Sequence, residues 1–153
     1  MNWGAIGAVG EIIGALAVFL TLVYLAIQIR QNTKSVQASA VDASISKVND
    51  VRQSLYENAE LSRIYIQGLA HPDELDEESR FRFRLVVHNI LLAISNIHSQ
   101  TSFTGLSTST WESQLIILKR ITTSPGGRWF WKEHRLEFED LFREQIDKIL
   151  ETS

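Results

Sequence analysis

Residues 3–29 read WGAIGAVGEIIGALAVFLTLVYLAIQI, and this stretch decides the fold because Glu11 is the only formal charge among its 27 residues. A helix rises 1.5 Å per residue, so a helix of this length reaches about 40 Å, more than the roughly 30 Å hydrocarbon layer of a bilayer. Trp3 and Tyr24 place aromatic rings near the two ends, where transmembrane helices meet the headgroups. The stretch therefore predicts a transmembrane helix over residues 1–29.

The flanking sequence bears on how this helix is inserted. A cleaved signal peptide is the competing interpretation, but such a peptide begins with basic residues, and residues 1–10 contain no Lys or Arg. Arg30, Lys34 and Lys47 all follow the helix. The positive-inside rule therefore predicts that the C-terminal part of the chain lies in the cytoplasm.

Small residues recur on one face of the predicted span at spacings of three and four. Gly10 and Gly14 form a GxxxG motif, which is common in membrane helices and weak by itself. Small residues allow backbones to approach closely in lipid, so we expect this face to pack against copies of itself. The alternative is that the glycines only ease packing at the membrane interface. The face persists over three heptads and consists of Gly7, Gly10, Gly14, Ala17 and Thr21, followed by Tyr24 and Gln28.

Glu11 is the one residue of the span that could carry chemistry. It lies four residues after Gly7 and three before Gly14, so it borders the small-residue face. Several carboxylates gathered around a symmetry axis in lipid would share protons, and such a polar ring could line a path for protons or cations. The alternative is that Glu11, about 12 Å along the helix from Trp3, lies among the headgroups while residues 12–29 alone cross the hydrocarbon.

The composition of the whole chain excludes several classes of protein. The chain has 153 residues, a formal net charge of -3 and no cysteine. The acidic balance argues against nucleic acid as a partner, because nucleic-acid binders normally carry a basic face. The absence of cysteine excludes disulfides, thiolate zinc sites, iron–sulfur clusters and thiol nucleophiles.

Residues 30–153 predict an all-α fold, because apolar residues recur at spacings of three and four and nothing alternates with period two. No Pro or Gly occurs between Gly14 and Gly68, so the membrane helix is expected to continue into a membrane-proximal helix or stalk over residues 30–58. The expected break is the ENAE run of residues 57–60. Residues 59–153 are then predicted to form a cytoplasmic helical bundle.

The helix that follows the HPD turn of residues 71–73 is the expected centre of this bundle. Asn89 and Asn96 are seven apart on it and form a polar line that either faces water or contacts a neighbouring subunit and sets its register. The predicted buried stripe is Phe83, Val87, Ile90, Ile94 and Ile97, widened by Phe81, Leu85 and Leu92.

Trp129 and Trp131 follow the SPGG turn of residues 124–127. A phosphate-binding loop would need a strand before the glycines and a Lys-Ser or Lys-Thr pair after them, and the sequence has neither. We therefore interpret both tryptophans as core or subunit-contact residues.

No pattern of residues demands catalysis. His88 and His98 are ten apart on one helix and point to different sides, so they cannot share a metal ion. His71 and His134 lie on other segments, and no spacing joins any pair of histidines. We predict no catalytic, metal-binding or cofactor-binding residue, and an enzyme with an unrecognised site is the less favoured alternative.

The order of these features resembles an uncharacterised family of bacterial single-pass membrane proteins of about this length. The resemblance covers nearly the whole chain and implies an N-terminal span followed by a helical cytoplasmic domain, but no known activity. It also implies the bacterial inner membrane, since outer-membrane spans are barrels. It rests on IGAVGEIIGALAVFLTLVYLAIQIRQNT (6–33), NAELSRIYIQGL (58–69), ESRFRF (78–83), TWES (110–113) and SPGGRWFWKEHR (124–135).

The sequence thus predicts a membrane-anchored, homo-oligomeric helical protein that acts as an assembly or partner-binding module. Its expected partners are the lipid bilayer, copies of itself and an unidentified protein. The alternative is a small proton or cation channel with Glu11 along the transmembrane path.

Overall fold

The computed structural model describes the backbone of residues 3–104 and 108–152, and their side chains except at positions 5, 101–104 and 108–110. Short 3₁₀ turns, Pro72–Glu74 and Arg135–Glu137, precede the third and sixth helices. No strand occurs among these residues, which confirms the all-α prediction. The helices are α1 (Trp3–Glu57), α2 (Ala59–Ala70), α3 (Glu77–Thr104), α4 (Thr108–Thr122), α5 (Pro125–His134) and α6 (Asp140–Glu151).

Helix α1 ends where the sequence predicts a break. It runs without interruption from Trp3 to Glu57, so the expected continuity past residue 29 is confirmed. Asn58 then leaves the helical conformation, and its side-chain Oδ1 accepts a hydrogen bond from the backbone N–H of Leu61 at 3.0 Å. A side-chain oxygen in this position satisfies a free donor at the start of a helix, which is why α2 begins at Ala59.

Contacts divide the chain into two units, and the boundary along the chain lies between Gln37 and Ala38. In the first unit every described side chain from Trp3 to Val36 is exposed. The second unit begins at Ala38 and contains the rest of α1 together with the other five described helices. Val41, Ser44 and Val48 of α1 are buried there, so residues 38–57 pack as part of the helical domain.

Helix α3 is the centre of the second unit. Phe83, Val87, Ile94 and Ile97 have no exposed area and Ile90 is buried, which confirms the predicted stripe. The predicted widening of the stripe is wrong. Helices α2, α4, α5 and α6 contact α3. The residues of α3 that are buried beside the stripe are instead Val86, Leu91 and Ala93. On the other side Phe81, Leu85 and Leu92 remain 51%, 43% and 41% exposed.

Glycines let two helices of this unit cross in direct backbone contact. A Cβ at Gly126, in the first turn of α5, would overlap the carbonyl oxygen of Gly68 on α2. Ser124 caps α5 by accepting a hydrogen bond from the N–H of Gly127 at 3.0 Å, and Pro125 occupies the first helical position. The sequence predicts a turn at the SPGG run, but three of its four residues begin α5, so it is a helix start shaped for close packing.

Candidate functional site

The small-residue face of the first unit is a continuous helix surface. The hydroxyl of Thr21 donates to the carbonyl oxygen of Ala17 at 2.8 Å, and the amide of Gln28 donates to the hydroxyl of Tyr24 at 2.8 Å. A Cβ placed at Gly7, Gly10 or Gly14 would meet nothing within 4 Å. The face is thus open to another helix, and the polar side chains of Thr21 and Gln28 find partners within their own helix.

Glu11 lies on the same helix with its side chain exposed. Within the described part of the chain, no hydrogen bond or ion pair involves its carboxylate. It borders Gly7 and Gly14 at helical spacing, as the sequence predicts.

Asn89 and Asn96 line a groove of about 350 Å³ in the second unit. Both side chains are exposed. A polar line that faces water and one that contacts a neighbouring subunit both require this. The remaining walls of the groove are Lys47, Asp50, Val51 and Ser54 on α1, with Leu92 and Ala93 on α3.

Leu85 and Leu92, which the sequence predicts in the core, belong to a repeat on the exposed side of α3. Leu85, Asn89, Leu92 and Asn96 follow one another at spacings of four, three and four, and we call them the α3 seam. Apolar residues at this spacing let helices dock, and an Asn within such a seam fixes the register at a cost in stability. Contact of the α3 seam with a neighbouring subunit remains a prediction.

The two tryptophans of α5 have different surroundings. Trp131 is 3% exposed, and its indole Nε1 donates to Asp147 at 2.9 Å, so it belongs to the core of its own domain. Trp129 is half-buried, and its ring centroid lies 6.2 Å from that of Phe83. Of the two tryptophans, only Trp129 is partly exposed and accessible to a further contact.

The structure joins two histidines that the sequence interpretation left separate. Nδ1 of His134 lies 2.9 Å from one carboxylate oxygen of Glu137, and Nδ1 of His88 lies 3.0 Å from the other. The pKa of Glu137 is lowered, most strongly by the hydrogen bond from His134. The charges of His134, His88 and Arg84 lower it further. His134 and Glu137 are three residues apart, so the sequence alone could have suggested this pair. His88 joins it through tertiary packing alone.

These groups do not form a metal centre. Among residues 3–104 and 108–152, no group of three or more His, Asp or Glu side chains is arranged to hold a metal ion. His134 hydrogen-bonds to one oxygen of Glu137 and His88 pairs with the other, so this carboxylate holds the 3₁₀ turn of Arg135–Glu137 against α3.

Comparison with protein-family models, with curated proteins and with solved structures gives no match. The function of the chain must therefore be inferred from its own residues.

Proposed function

We propose that this protein is a membrane-anchored, homo-oligomeric helical assembly protein of the bacterial inner membrane, with its C-terminal domain in the cytoplasm. One observation carries the proposal. Among the described residues one helix is long and apolar enough to cross a membrane: it contains an 18-residue window with mean hydropathy 2.4, and none of this window is buried. Such an apolar surface is unfavourable in water and stable in lipid.

The position of the charges supports the proposed orientation. Arg30 and Lys34 follow the apolar window directly, and basic residues next to a span favour the cytoplasmic side. The assignment to a bacterial inner membrane rests in addition on the resemblance described above.

Two free surfaces support self-association. The small-residue face of the span provides close helix contacts in lipid, where the hydrophobic effect does not drive association. The α3 seam provides a second surface in the helical domain. Both have the spacing of helix-docking surfaces, and their described side chains are exposed.

The test is the mass of the full-length protein in a mild detergent, measured by light scattering after size exclusion. We expect wild type to form a stable complex that Gly14→Leu weakens, because a large side chain on the small-residue face separates the backbones. Ala26→Leu is the matched control, since it adds similar bulk on the opposite side of the helix. A monomeric mass for wild type and Gly14→Leu alike would reject the proposal.

Glu11 favours a second candidate function, a small proton or cation channel. Its carboxylate has no described partner and borders the proposed contact face, where several copies would form a polar ring. The test measures proton flux into liposomes that contain the purified protein. Flux that Glu11→Gln reduces would support the channel, and equal flux from both proteins would remove Glu11 from any such role.

A further inference from the structure

A groove of about 450 Å³ lies between the first turns of α3 and the last turns of α5. Helix α3 contributes Glu77, Arg80, Phe81 and Arg84 to its walls. Helix α5 contributes Trp129, Glu133 and His134. It is separate from the α3 seam and from the small-residue face.

The two guanidinium groups in this groove form no ion pair with any residue that the structure describes. Nη2 of Arg80 donates to the carbonyl oxygens of Leu75 at 3.0 Å and Asp73 at 3.4 Å, which are neutral acceptors. Its Nε is buried and makes no hydrogen bond within the described chain. Arg84 lies over the ring of Phe81, 5.0 Å from the ring centroid, and makes no ion pair among the described residues.

The two acidic residues of the groove do not pair with these arginines within the described chain. Glu77 and Glu133 are exposed, whereas Arg80, Arg84 and His134 are half-buried. The floor of the groove is thus cationic and its rim is acidic. Glu137, whose pKa Arg84 helps to lower, already accepts a hydrogen bond from His134 and pairs with His88.

Two like charges four residues apart on one helix repel each other. An anion between Arg80 and Arg84 would remove this repulsion and give the unpartnered guanidinium donors an acceptor. Guanidinium groups match phosphate oxygens in pairs, and two of them suit the several acceptor oxygens of a phosphate better than the two of a carboxylate. His134 uses Nδ1 toward Glu137, which leaves Nε2 as its remaining polar atom.

We propose that the groove binds a phosphate ester, with the phosphate at Arg80 and Arg84 and the organic part against Trp129 and Phe81. The half-buried indole of Trp129 offers a flat apolar wall for that part. A soluble phosphate ester and a phospholipid headgroup share this chemistry. The site requires no contact between copies of the chain, so it does not depend on the proposed assembly.

Titration calorimetry of the full-length protein in a non-ionic detergent, with phenyl phosphate as the probe, tests the proposal. We expect saturable binding that weakens at high salt, since ions screen the attraction. Arg84→Gln should weaken it by about tenfold or more, because charge-assisted hydrogen bonds contribute strongly. Arg84→Lys, which keeps the charge and loses the paired donors, should give an intermediate affinity.

The matched control is Arg82→Gln. Arg82 lies on the same helix but forms ion pairs with Glu78 and Glu60, so its removal should leave phenyl phosphate binding unchanged. Competition by phosphatidylglycerol added to the micelles would identify a lipid headgroup as the source of the phosphate, and undiminished binding would identify a soluble ester. No saturable binding by wild type, or equal affinities for Arg84→Gln and Arg82→Gln, would overturn the proposal.

Discussion

Helices α2 and α5 can cross in contact at Gly126 because this residue has a hydrogen atom in place of a side chain. A Cβ there would overlap the carbonyl oxygen of Gly68, and the two backbones must separate to admit it. We expect Gly126→Ala to lower the free energy of unfolding of the helical domain by about 1–3 kcal/mol, the usual effect of overpacking. Urea unfolding followed by tryptophan fluorescence measures this.

Gly7→Ala is the control for that substitution. A Cβ at Gly7 meets nothing within 4 Å in the chain, so the stability of the helical domain should not change. Equal stability of Gly126→Ala and wild type would show that α2 and α5 do not cross at these glycines.

His98 makes the stability of the domain depend on pH. Its ring lies 4.7 Å from that of Trp111 and 5.9 Å from that of Phe142, and burial lowers its pKa while the charge of Glu139 opposes the shift. In the unfolded chain a histidine titrates near pH 6.5. The unfolded state therefore binds more protons as the pH falls below about 6.5, and stability declines until the folded imidazole also titrates.

We expect the free energy of unfolding to fall between pH 7 and 5.5, and to fall less in His98→Asn. Asp76 and Glu137 have lowered pKa values, so their contributions are lost only at more acidic pH. Identical pH dependence in wild type and His98→Asn would exclude His98 as the source.

At the scale of the element, α1 allows a direct test of membrane insertion. The chain has no cysteine, so single-cysteine variants react at one known position. In intact cells we expect neither Leu20→Cys nor Asp42→Cys to react with a membrane-impermeant maleimide. After the inner membrane is permeabilised, Asp42→Cys should react and Leu20→Cys should stay protected by lipid.

The control for this labelling is the detergent-solubilised, urea-unfolded protein, in which both cysteines should react equally. Equal labelling of Leu20→Cys and Asp42→Cys in permeabilised cells would contradict a membrane location for the apolar part of α1. Labelling of Asp42→Cys in intact cells would reverse the proposed orientation.

The same elements show what periodicity can and cannot predict. The buried stripe of α3 and the break at Asn58 follow from local spacing and capping, which the sequence displays directly. Phe81, Leu85 and Leu92 are exposed because the other helices cover the opposite side of α3. The apolar pattern of the sequence shows the direction of the buried face but not how many residues beside it become buried. His88 and Glu137 meet only after α5 and the following turn pack against α3, so no local pattern could have paired them.

At the scale of the whole molecule, many large apolar side chains are left exposed. The second unit buries its own core around α3, whereas the apolar residues of the first unit are all exposed where the structure describes them. Lipid and further copies of the chain would cover that surface together. In the proposed assembly, copies of the chain would contact one another through the small-residue face and through the α3 seam.

Native mass spectrometry of the full-length protein, released from isolated membranes in a mild detergent, tests this central claim most directly. The chain has a mass of 17.4 kDa, and we predict that the protein is found in the membrane fraction and yields a particle whose mass is at least twice that value and a whole multiple of it. Recovery from the soluble fraction as a single 17.4 kDa species would contradict both the membrane anchor and the assembly.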